Sequence, residues 1–309
     1  MKKIVISDDI KKEFIKCLVN GNYKIDNFKL SEIETVSNYI KIGNKKFPFL
    51  KNITIFLEKY DESILAELLL SDNIDELIIN YQKNKRTTNI NDEIVKEAYN
   101  SLRKKWGYKL IELTNTSVCP YCNRNYVFNF IKDKNKYVTT VELDHYYPKE
   151  KYPFLALNLY NLIPSCRTCN HKKRNDDRRH LHPFFDDIDK ELKFSLKLIN
   201  SNFYYSKEGF DIEINLVNNN KRAENHIDVF NLESIYKKHK DIVLELIQKK
   251  YMYNEDYLNE LFKKYEGTFF KNLEDLMRLV SGGYVSDSEI NKRPLSKLIK
   301  DISEELGII

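Results

Sequence analysis

Amphipathic patterns with helical spacing dominate the first third of the chain. Apolar positions recur every three or four residues in four segments, over residues 8–19, 31–40, 62–81 and 91–106. Ser31 and Glu34 form a capping-box pattern at the start of the second segment, and Gly107 marks the predicted end of the fourth. This part contains no catalytic motif. We therefore predict a helical N-terminal region over residues 1–113 that serves as a scaffold or docks a partner.

The pattern changes after residue 113. β-branched and aromatic residues flank a polar turn at residues 132–135, which predicts a hairpin between Tyr126 and His145. The polar, basic run from Cys166 to Arg179 predicts a short exposed helix that Pro183 ends. Farther on, the pattern predicts weak strands over residues 194–216 and helices over residues 232–250, 256–265, 273–280 and 287–306. The chain is thus predicted to have an α+β, mainly α-helical fold, with a central module over residues 114–187 and a mostly helical C-terminal region over residues 188–309.

The composition supports a folded protein and limits its class. The 309 residues are 42% hydrophobic and include 17 Phe and 21 Tyr, which is enough apolar surface to offset the entropy of ordering the chain. The low content of 8 Gly and 7 Pro argues against a barrel or sandwich of many short strands. The apolar run over residues 64–70 is too short to span a membrane, and the run before Asp8 is too short for a signal peptide. We therefore expect a cytoplasmic protein that does not associate with membranes.

Four of the cysteines occur as two C-x-x-C pairs. Cys119 and Cys122 are separated from Cys166 and Cys169 by 43 residues. A two-residue spacer lets a tight turn aim two thiolates at one ion, and a second pair completes a tetrahedral zinc site with Zn–S distances of about 2.3 Å. In a reducing compartment this spacing favours structural zinc over disulfides. Cys17, the remaining cysteine, lies on the apolar face of the first predicted helix and is expected to be a buried, inert thiol.

Residue types that serve in catalysis lie close to these pairs. Asp144 and His145 end a predicted strand, and Asn170 lies on the short basic helix. Lys173 and Arg174 follow at i+3 and i+4 from Asn170, so one face of that helix carries an oxygen ligand and two cations. A face of this composition suits a phosphate group.

The order of these motifs resembles that of a known enzyme family. The pattern C-x-x-C, D-H-x-x-P, N-L, C-x-x-C-N-x-x-K resembles the HNH endonucleases, whose ββα-metal fold is clipped by zinc in many members. The segments CPYCNRNY, ELDHYYPK, KYPFLALNLYNLIPSC and HPFFDD are similar in particular to the PtuB family, the HNH nucleases of Septu and retron-associated antiphage systems. This match covers residues 119–187. It implies a role in antiphage defence beside a separate ABC/SMC-like ATPase, PtuA, and the sequence has no Walker loop of its own.

The resemblance also implies roles for individual residues. His145 is expected to act as the general base, because an imidazole can accept a proton at neutral pH. Asp144 and Asn170 are expected to hold a catalytic Mg²⁺ or Mn²⁺ through their oxygen atoms. Asn161 is expected to hold the loop and the orientation of His145 without contacting the metal.

The sequence leaves alternatives open for the residues that contact the substrate and for one ligand of the catalytic metal. Lys173 and Arg174 are expected to contact the scissile or neighbouring phosphates. His171 is an alternative to its neighbour as a ligand of the catalytic metal. The two histidines of HLHPFF are expected to pack or to contact phosphate rather than to bind metal, and His226 and His239 are expected to be ordinary core or surface residues.

The charge distribution is consistent with a nucleic-acid partner. Residues 119–182 carry 12 Lys and Arg against 6 Asp and Glu, whereas the charges of the rest of the chain nearly balance. We therefore predict a metal-dependent HNH endonuclease that acts on DNA or on tRNA or other RNA. The alternatives are a zinc-stabilised nucleic-acid-binding protein without catalysis and an adaptor whose helices bind the ATPase.

Overall fold

The computed structural model of the chain describes residues 1–21, 23, 25, 28–83, 91–133 and 136–309. Internal contacts divide the chain into two compact units. The first unit comprises Val5–Asn115 and Val127–Asp177, and the second comprises Met1–Ile4, Thr116–Tyr126 and Arg178–Ile309. Both contain helices and small antiparallel sheets, so the predicted α+β class is confirmed. The division into three regions along the sequence stays a prediction.

The first unit contains six helices and seven strands among its described residues. Its helices are α1 (Asp8–Leu18), α2 (Lys51–Leu57), α3 (Leu65–Leu70), α4 (Ile74–Lys83), α5 (Asp92–Thr114) and α6 (Arg167–Lys173). Its strands are β1 (Ile33–Val36), β2 (Tyr39–Ile42), β3 (Lys45–Pro48), β4 (Asn129–Asp133), β5 (Lys136–Thr139), β6 (Glu142–His145) and β7 (Leu162–Ser165).

Helix α5 is the central element of the first unit. It contacts α1, α2 and the four strands β4 to β7. Its core residues Leu102, Trp106 and Leu110 are fully buried. The helix runs through Gly107, so the predicted end at this residue is wrong. A mid-helix glycine costs about 1 kcal/mol relative to alanine, and burial of one leucine beyond it contributes more, roughly 1.5–3 kcal/mol.

The segment around residues 31–40 is also not the predicted helix. It forms part of a three-stranded antiparallel sheet in the order β1, β2, β3. Ile33, Thr35 and Val36 are β-branched and suit a strand better than a helix. Ile40 pairs with Phe47 across the sheet, and both side chains are buried. Cross-strand packing therefore makes this segment form strands, although its apolar residues have helical spacing.

The predicted helix over residues 62–81 is present as two helices, α3 and α4. The break falls at residues 71–73, where Asn73 Oδ1 accepts a hydrogen bond of 3.3 Å from the backbone N–H of Glu76. Asparagine competes well for backbone donors at a helix start, and this competition ends one helix and begins the next.

Strands β4 to β7 precede helix α6, and two of them carry or adjoin the candidate site residues. The predicted hairpin is present as the antiparallel pair β4 and β5, whose turn residues 134 and 135 lie outside the described residues. β6 instead pairs antiparallel with β7, with His145 opposite Leu162 and Asp144 opposite Ile163. α6 begins directly after β7, with Cys166 as its N-cap residue. The strand, strand, helix order that the resemblance to a ββα-metal fold implies is therefore present as β6, β7 and α6.

The second unit consists of one hairpin and six helices among its described residues. Its elements are β8 (Leu192–Leu198), β9 (Phe210–Leu216), α7 (Lys221–Phe230), α8 (Leu232–Tyr236), α9 (Lys240–Met252), α10 (Glu255–Tyr265), α11 (Leu273–Ser281) and α12 (Ser296–Glu305). α12 packs on β8, where the Asp301 carboxylate accepts a hydrogen bond of 2.8 Å from the backbone N–H of Phe194.

Two predicted helices of the second unit are shorter or divided. The segment over residues 232–250 is split by a 3₁₀ turn at Lys237–His239. The segment predicted to begin at residue 287 begins at Ser296, after Pro294 and after Leu295 in the left-handed conformation with φ of 65°. Neither proline nor a left-handed residue continues a helix, so the helix predicted from the apolar spacing was too long. None of the described helices is both long enough and apolar enough to cross a membrane.

Candidate active site

The four paired cysteines come together as predicted. Their Sγ atoms all lie within 4.8 Å of one another, and all four side chains are buried. Cys119 and Cys122 lie in a tight turn in which Cys119 accepts a backbone hydrogen bond of 2.8 Å from Asn123, and Cys166 and Cys169 lie at the start of α6. A tetrahedron of Zn–S bonds of about 2.3 Å places its sulfur atoms about 3.8 Å apart, so this cluster fits a zinc ion.

His145 is the last residue of β6, and two contacts hold its ring. The ring packs against Tyr99 of α5, with 4.6 Å between ring centroids. Nε2 lies 3.0 Å from the carbonyl oxygen of Ala156. Because a carbonyl oxygen only accepts, Nε2 carries the ring proton and Nδ1 is left with a free lone pair. The structure therefore fixes which nitrogen of His145 can act as a base.

The environment keeps this imidazole neutral. Burial lowers the pKa of His145 from 6.5 to about 3, because the charged form loses its hydration, and the positive charges of Lys149 and Lys173 act in the same direction. The hydrogen bond to Ala156 opposes this shift without reversing it. At neutral pH the ring is an unprotonated acceptor.

Lys173 and Asp144 form a buried ion pair beneath the site. The Lys173 ammonium lies 3.3 and 3.4 Å from the two carboxylate oxygens of Asp144, and it donates a hydrogen bond of 2.6 Å to the backbone carbonyl of His145. The side chain of Lys173 is 0% exposed. The sequence predicted a phosphate contact for Lys173, but in the structure its ammonium is enclosed and ties α6 to the end of β6.

Asn170 of α6 meets a carboxylate that the sequence analysis did not single out. Its Nδ2 donates a hydrogen bond of 2.7 Å to Glu142 at the start of β6. His171, the alternative ligand, is more exposed, and its Nε2 lies 3.8 Å from the same carboxylate. Glu142 and Asp144 are two residues apart on one strand and so lie on the same face, which is the signal that could have identified Glu142.

Asn161 is fully buried and fastens the loop that follows β6. Its Oδ1 accepts a hydrogen bond of 2.7 Å from the backbone N–H of Tyr147, and its Nδ2 donates bonds of 3.1 Å to the carbonyls of Tyr147 and Leu155. The next residue, Ala156, supplies the carbonyl that holds His145. Asn161 thus fixes the backbone that orients the imidazole.

A cavity of about 430 Å³ opens over these groups. It is lined by Asp144, His145, Pro148, Lys149, Glu150, Asn170, His171, Arg174 and Asn175. The cavity thus brings together four residues predicted for the site, Asp144, His145, Asn170 and Arg174, whereas Lys173 and Asn161 lie behind its wall. Lys149, which the sequence analysis did not select, supplies a second cation at the cavity.

The histidines of the second unit are packed among aromatic rings. The ring of His180 lies 5.2 Å from that of Phe230, and the ring of His226 lies 4.8 Å from it. His226 Nε2 lies 2.9 Å from the carbonyl of Tyr121, and burial lowers its pKa to about 4. His182 Nδ1 accepts a hydrogen bond of 3.2 Å from the backbone N–H of Phe184. These contacts agree with the packing role expected from the sequence.

The comparisons with known proteins point in one direction. No protein-family model matches the chain, and no solved structure matches it. The chain is similar to the Septu protein PtuB of Bacillus thuringiensis, with 29% identity over 134 residues. The aligned part is 40% of this chain and 46% of that relative, so the similarity spans about half of the relative's length. The resemblance to PtuB seen in the sequence motifs is confirmed.

Proposed function

We propose that this chain is a metal-dependent HNH endonuclease that hydrolyses phosphodiester bonds of nucleic acid, either DNA or RNA such as tRNA. The observation that carries this proposal is the state of His145. Its Nε2 is committed to Ala156, and its neutral Nδ1 is left as an acceptor in a residue that lines the same cavity as Asp144 and Asn170. Nucleic-acid binding alone needs no oriented base.

In this mechanism His145 accepts a proton at Nδ1 from the water that attacks the phosphorus atom. Asp144 and Asn170 offer the oxygen ligands that Mg²⁺ and Mn²⁺ prefer, so the donor set fits such an ion. A dication held by these two residues would neutralise charge on the phosphoryl oxygens and stabilise the leaving alkoxide. Asn161 acts through the loop and keeps His145 in position.

Two cations at the cavity suit the phosphate. The side chain of Arg174 is exposed, and its Nε donates a hydrogen bond of 3.1 Å to the carbonyl of His171. The Lys149 side chain is half-buried and is paired with Glu150 at 2.9 Å. Such a partly exposed pair is worth about 1 kcal/mol or less, so a phosphate can displace it. Arg174 and Lys149, rather than the enclosed Lys173, are the proposed phosphate contacts.

The zinc site has a structural role in this proposal. Four buried thiolates leave no open position for a substrate or water, as in closed Cys₄ sites that hold small modules together. Cys166 and Cys169 begin α6, the helix that also carries Asn170 and Lys173. Zinc bound there restrains the helix that supplies the catalytic metal ligand.

We also propose that the chain acts in antiphage defence with a separate ABC/SMC-like ATPase of the PtuA type. This proposal rests on the similarity to the Septu protein PtuB and on the absence of a Walker loop from the sequence. Co-expression with a PtuA-type ATPase from the same organism, followed by size-exclusion chromatography, tests it. We expect co-elution, whereas separate elution of two folded chains would contradict the complex.

A direct assay of the purified protein tests the nuclease. Zinc-loaded protein is incubated with Mg²⁺ or Mn²⁺ and with plasmid, single-stranded DNA and tRNA. We expect cleavage of at least one substrate that requires the added dication and is absent from His145→Ala. Equal cleavage by His145→Ala would exclude this mechanism. Tight binding of nucleic acid without cleavage by the wild-type protein would favour a zinc-stabilised nucleic-acid-binding protein instead.

A further inference from the structure

The hydrogen bond between Glu142 and Asn170 has a consequence for the metal site. We propose that Glu142 is a positioning residue that turns the side-chain amide of Asn170, so that the amide oxygen is the atom available as a metal ligand. This inference rests on the proposed nuclease function, and it concerns the orientation of Asn170 as a metal ligand.

The direction of the amide follows from the chemistry of its partner. An ionised carboxylate only accepts hydrogen bonds, so the atom of Asn170 that lies 2.7 Å from Glu142 Oε2 must be the amide nitrogen. The reversed amide would bring two oxygen atoms to that distance without a proton between them. The carbonyl oxygen of Asn170 therefore points away from Glu142.

Asn170 lies at the same cavity as the other proposed ligand. Asn170 and Asp144 line the same cavity, whereas Glu142 is absent from its lining. α6 packs on β6, and the bond from Asn170 to Glu142 crosses between these two elements. Without this bond the amide has two orientations of similar energy, and one of them presents an NH₂ group that cannot bind a cation.

Glu142 restrains Asn170 and not its neighbour His171. The distance of 3.8 Å between His171 Nε2 and the Glu142 carboxylate is too long for a hydrogen bond, and the side chain of His171 is 56% exposed. Lys172→Ala is the matched control, because Lys172 is exposed on the same helix and is absent from the lining of the cavity.

The test measures Mn²⁺ binding in the absence of nucleic acid, by electron paramagnetic resonance of free Mn²⁺ titrated into zinc-loaded protein. Removing the partner that orients a metal ligand typically weakens metal affinity about 10-fold to 100-fold, and we expect this loss for Glu142→Ala. Glu142→Gln keeps an oxygen acceptor and loses the charge, so we expect a smaller loss. Lys172→Ala should bind Mn²⁺ like the wild type.

A double-mutant cycle separates positioning from simple attraction between charges. If Glu142 acts by turning Asn170, Glu142→Ala should change Mn²⁺ affinity little once Asn170 is already alanine. Independent losses that multiply in Glu142→Ala/Asn170→Ala would overturn the proposal, and so would wild-type affinity in Glu142→Ala. If circular dichroism shows that Glu142→Ala does not fold, Glu142→Met replaces it in the double-mutant cycle. Methionine keeps most of the side-chain volume and removes the hydrogen-bond acceptor.

The outcomes also separate this inference from the proposed function. A wild-type protein that neither binds Mn²⁺ nor cleaves any substrate would refute both. Mn²⁺ binding that is lost in Asn170→Ala but kept in Glu142→Ala would refute the positioning role and leave the nuclease proposal standing.

Discussion

Replacing Lys173 by methionine should lower the stability of the protein, because it breaks a buried ion pair. The side chain of Lys173 is fully enclosed, and its ammonium faces the Asp144 carboxylate at 3.3 Å and the His145 carbonyl at 2.6 Å. Methionine keeps most of the volume and removes the charge. Asp144 would then carry a buried negative charge without its lysine partner.

The structure allows the size of the effect to be estimated. Removing one partner of a buried ion pair costs about 3–5 kcal/mol, because the remaining charge stays desolvated. At roughly 2–4 °C per kcal/mol for large domains, the melting temperature should fall on the order of 10 °C. The exposed neighbour Lys172 is the matched control, since a surface substitution such as Lys172→Met usually changes stability by less than about 0.5 kcal/mol.

The assay is thermal melting of the zinc-loaded variants with and without Mg²⁺. If Asp144 is a metal ligand, Mg²⁺ supplies the positive charge that Lys173→Met has lost, and it should raise the melting temperature of this variant more than that of the wild type. A variant that melts at the wild-type temperature would refute the ion pair as a stabilising contact. A variant that melts early but gains nothing from Mg²⁺ would argue against Asp144 as a ligand.

Three further predictions address the other parts of the site. His145→Ala should abolish cleavage while zinc content and the far-ultraviolet circular dichroism spectrum stay unchanged, because only the base is removed. Cys166→Ser should lower the zinc content measured by elemental analysis and cause early melting, since metal binding and folding are coupled; unchanged melting would contradict this. Asn161→Ala should lower the free energy of unfolding by several kcal/mol in denaturant titration, because it removes three buried hydrogen bonds to the backbone of Tyr147 and Leu155.

The geometry of the site explains why these perturbations should differ. His145 is held by the Tyr99 ring and by the Ala156 carbonyl, and the hydrogen bond to Ala156 uses Nε2 rather than Nδ1. The parts that fix the site are buried, whereas Arg174 and His171 are exposed. Changes to the enclosed Lys173 and Asn161 should therefore affect folding, whereas a change to the exposed Arg174 should affect substrate binding alone.

Local sequence determined the parts that depend on spacing. Two C-x-x-C pairs bring two sulfurs each to one point, so the four-cysteine cluster followed from the sequence. β-branched and aromatic residues on both sides of a polar turn predicted the β4–β5 hairpin. Asp144, His145 and Asn170 became candidates through their order relative to the cysteine pairs. These features need only a few neighbouring residues, and their chemistry is set by the residue types themselves.

Tertiary packing decided the elements whose local signals were ambiguous. The helical spacing over residues 31–40 gave way to a sheet because Ile40 and Phe47 bury each other across β2 and β3. Gly107 did not end α5, because the helix beyond it buries Leu110 in the core. In both cases the free energy of burial between distant segments exceeds the local preference, and that burial is not encoded within a short window.

The atomic roles within the site were also decided by the tertiary structure. Helical spacing placed Lys173 on a phosphate-binding face, but contact with β6 encloses it against Asp144. The partners Ala156 and Glu142 are separated from His145 and Asn170 by 11 and 28 residues, and the sequence gives no local reason for either contact. The sequence therefore named most of the candidate groups, whereas the fold decided which nitrogen of His145 bonds to Ala156 and which atom of the Asn170 amide bonds to Glu142, because hydrogen-bond partners are set by three-dimensional proximity.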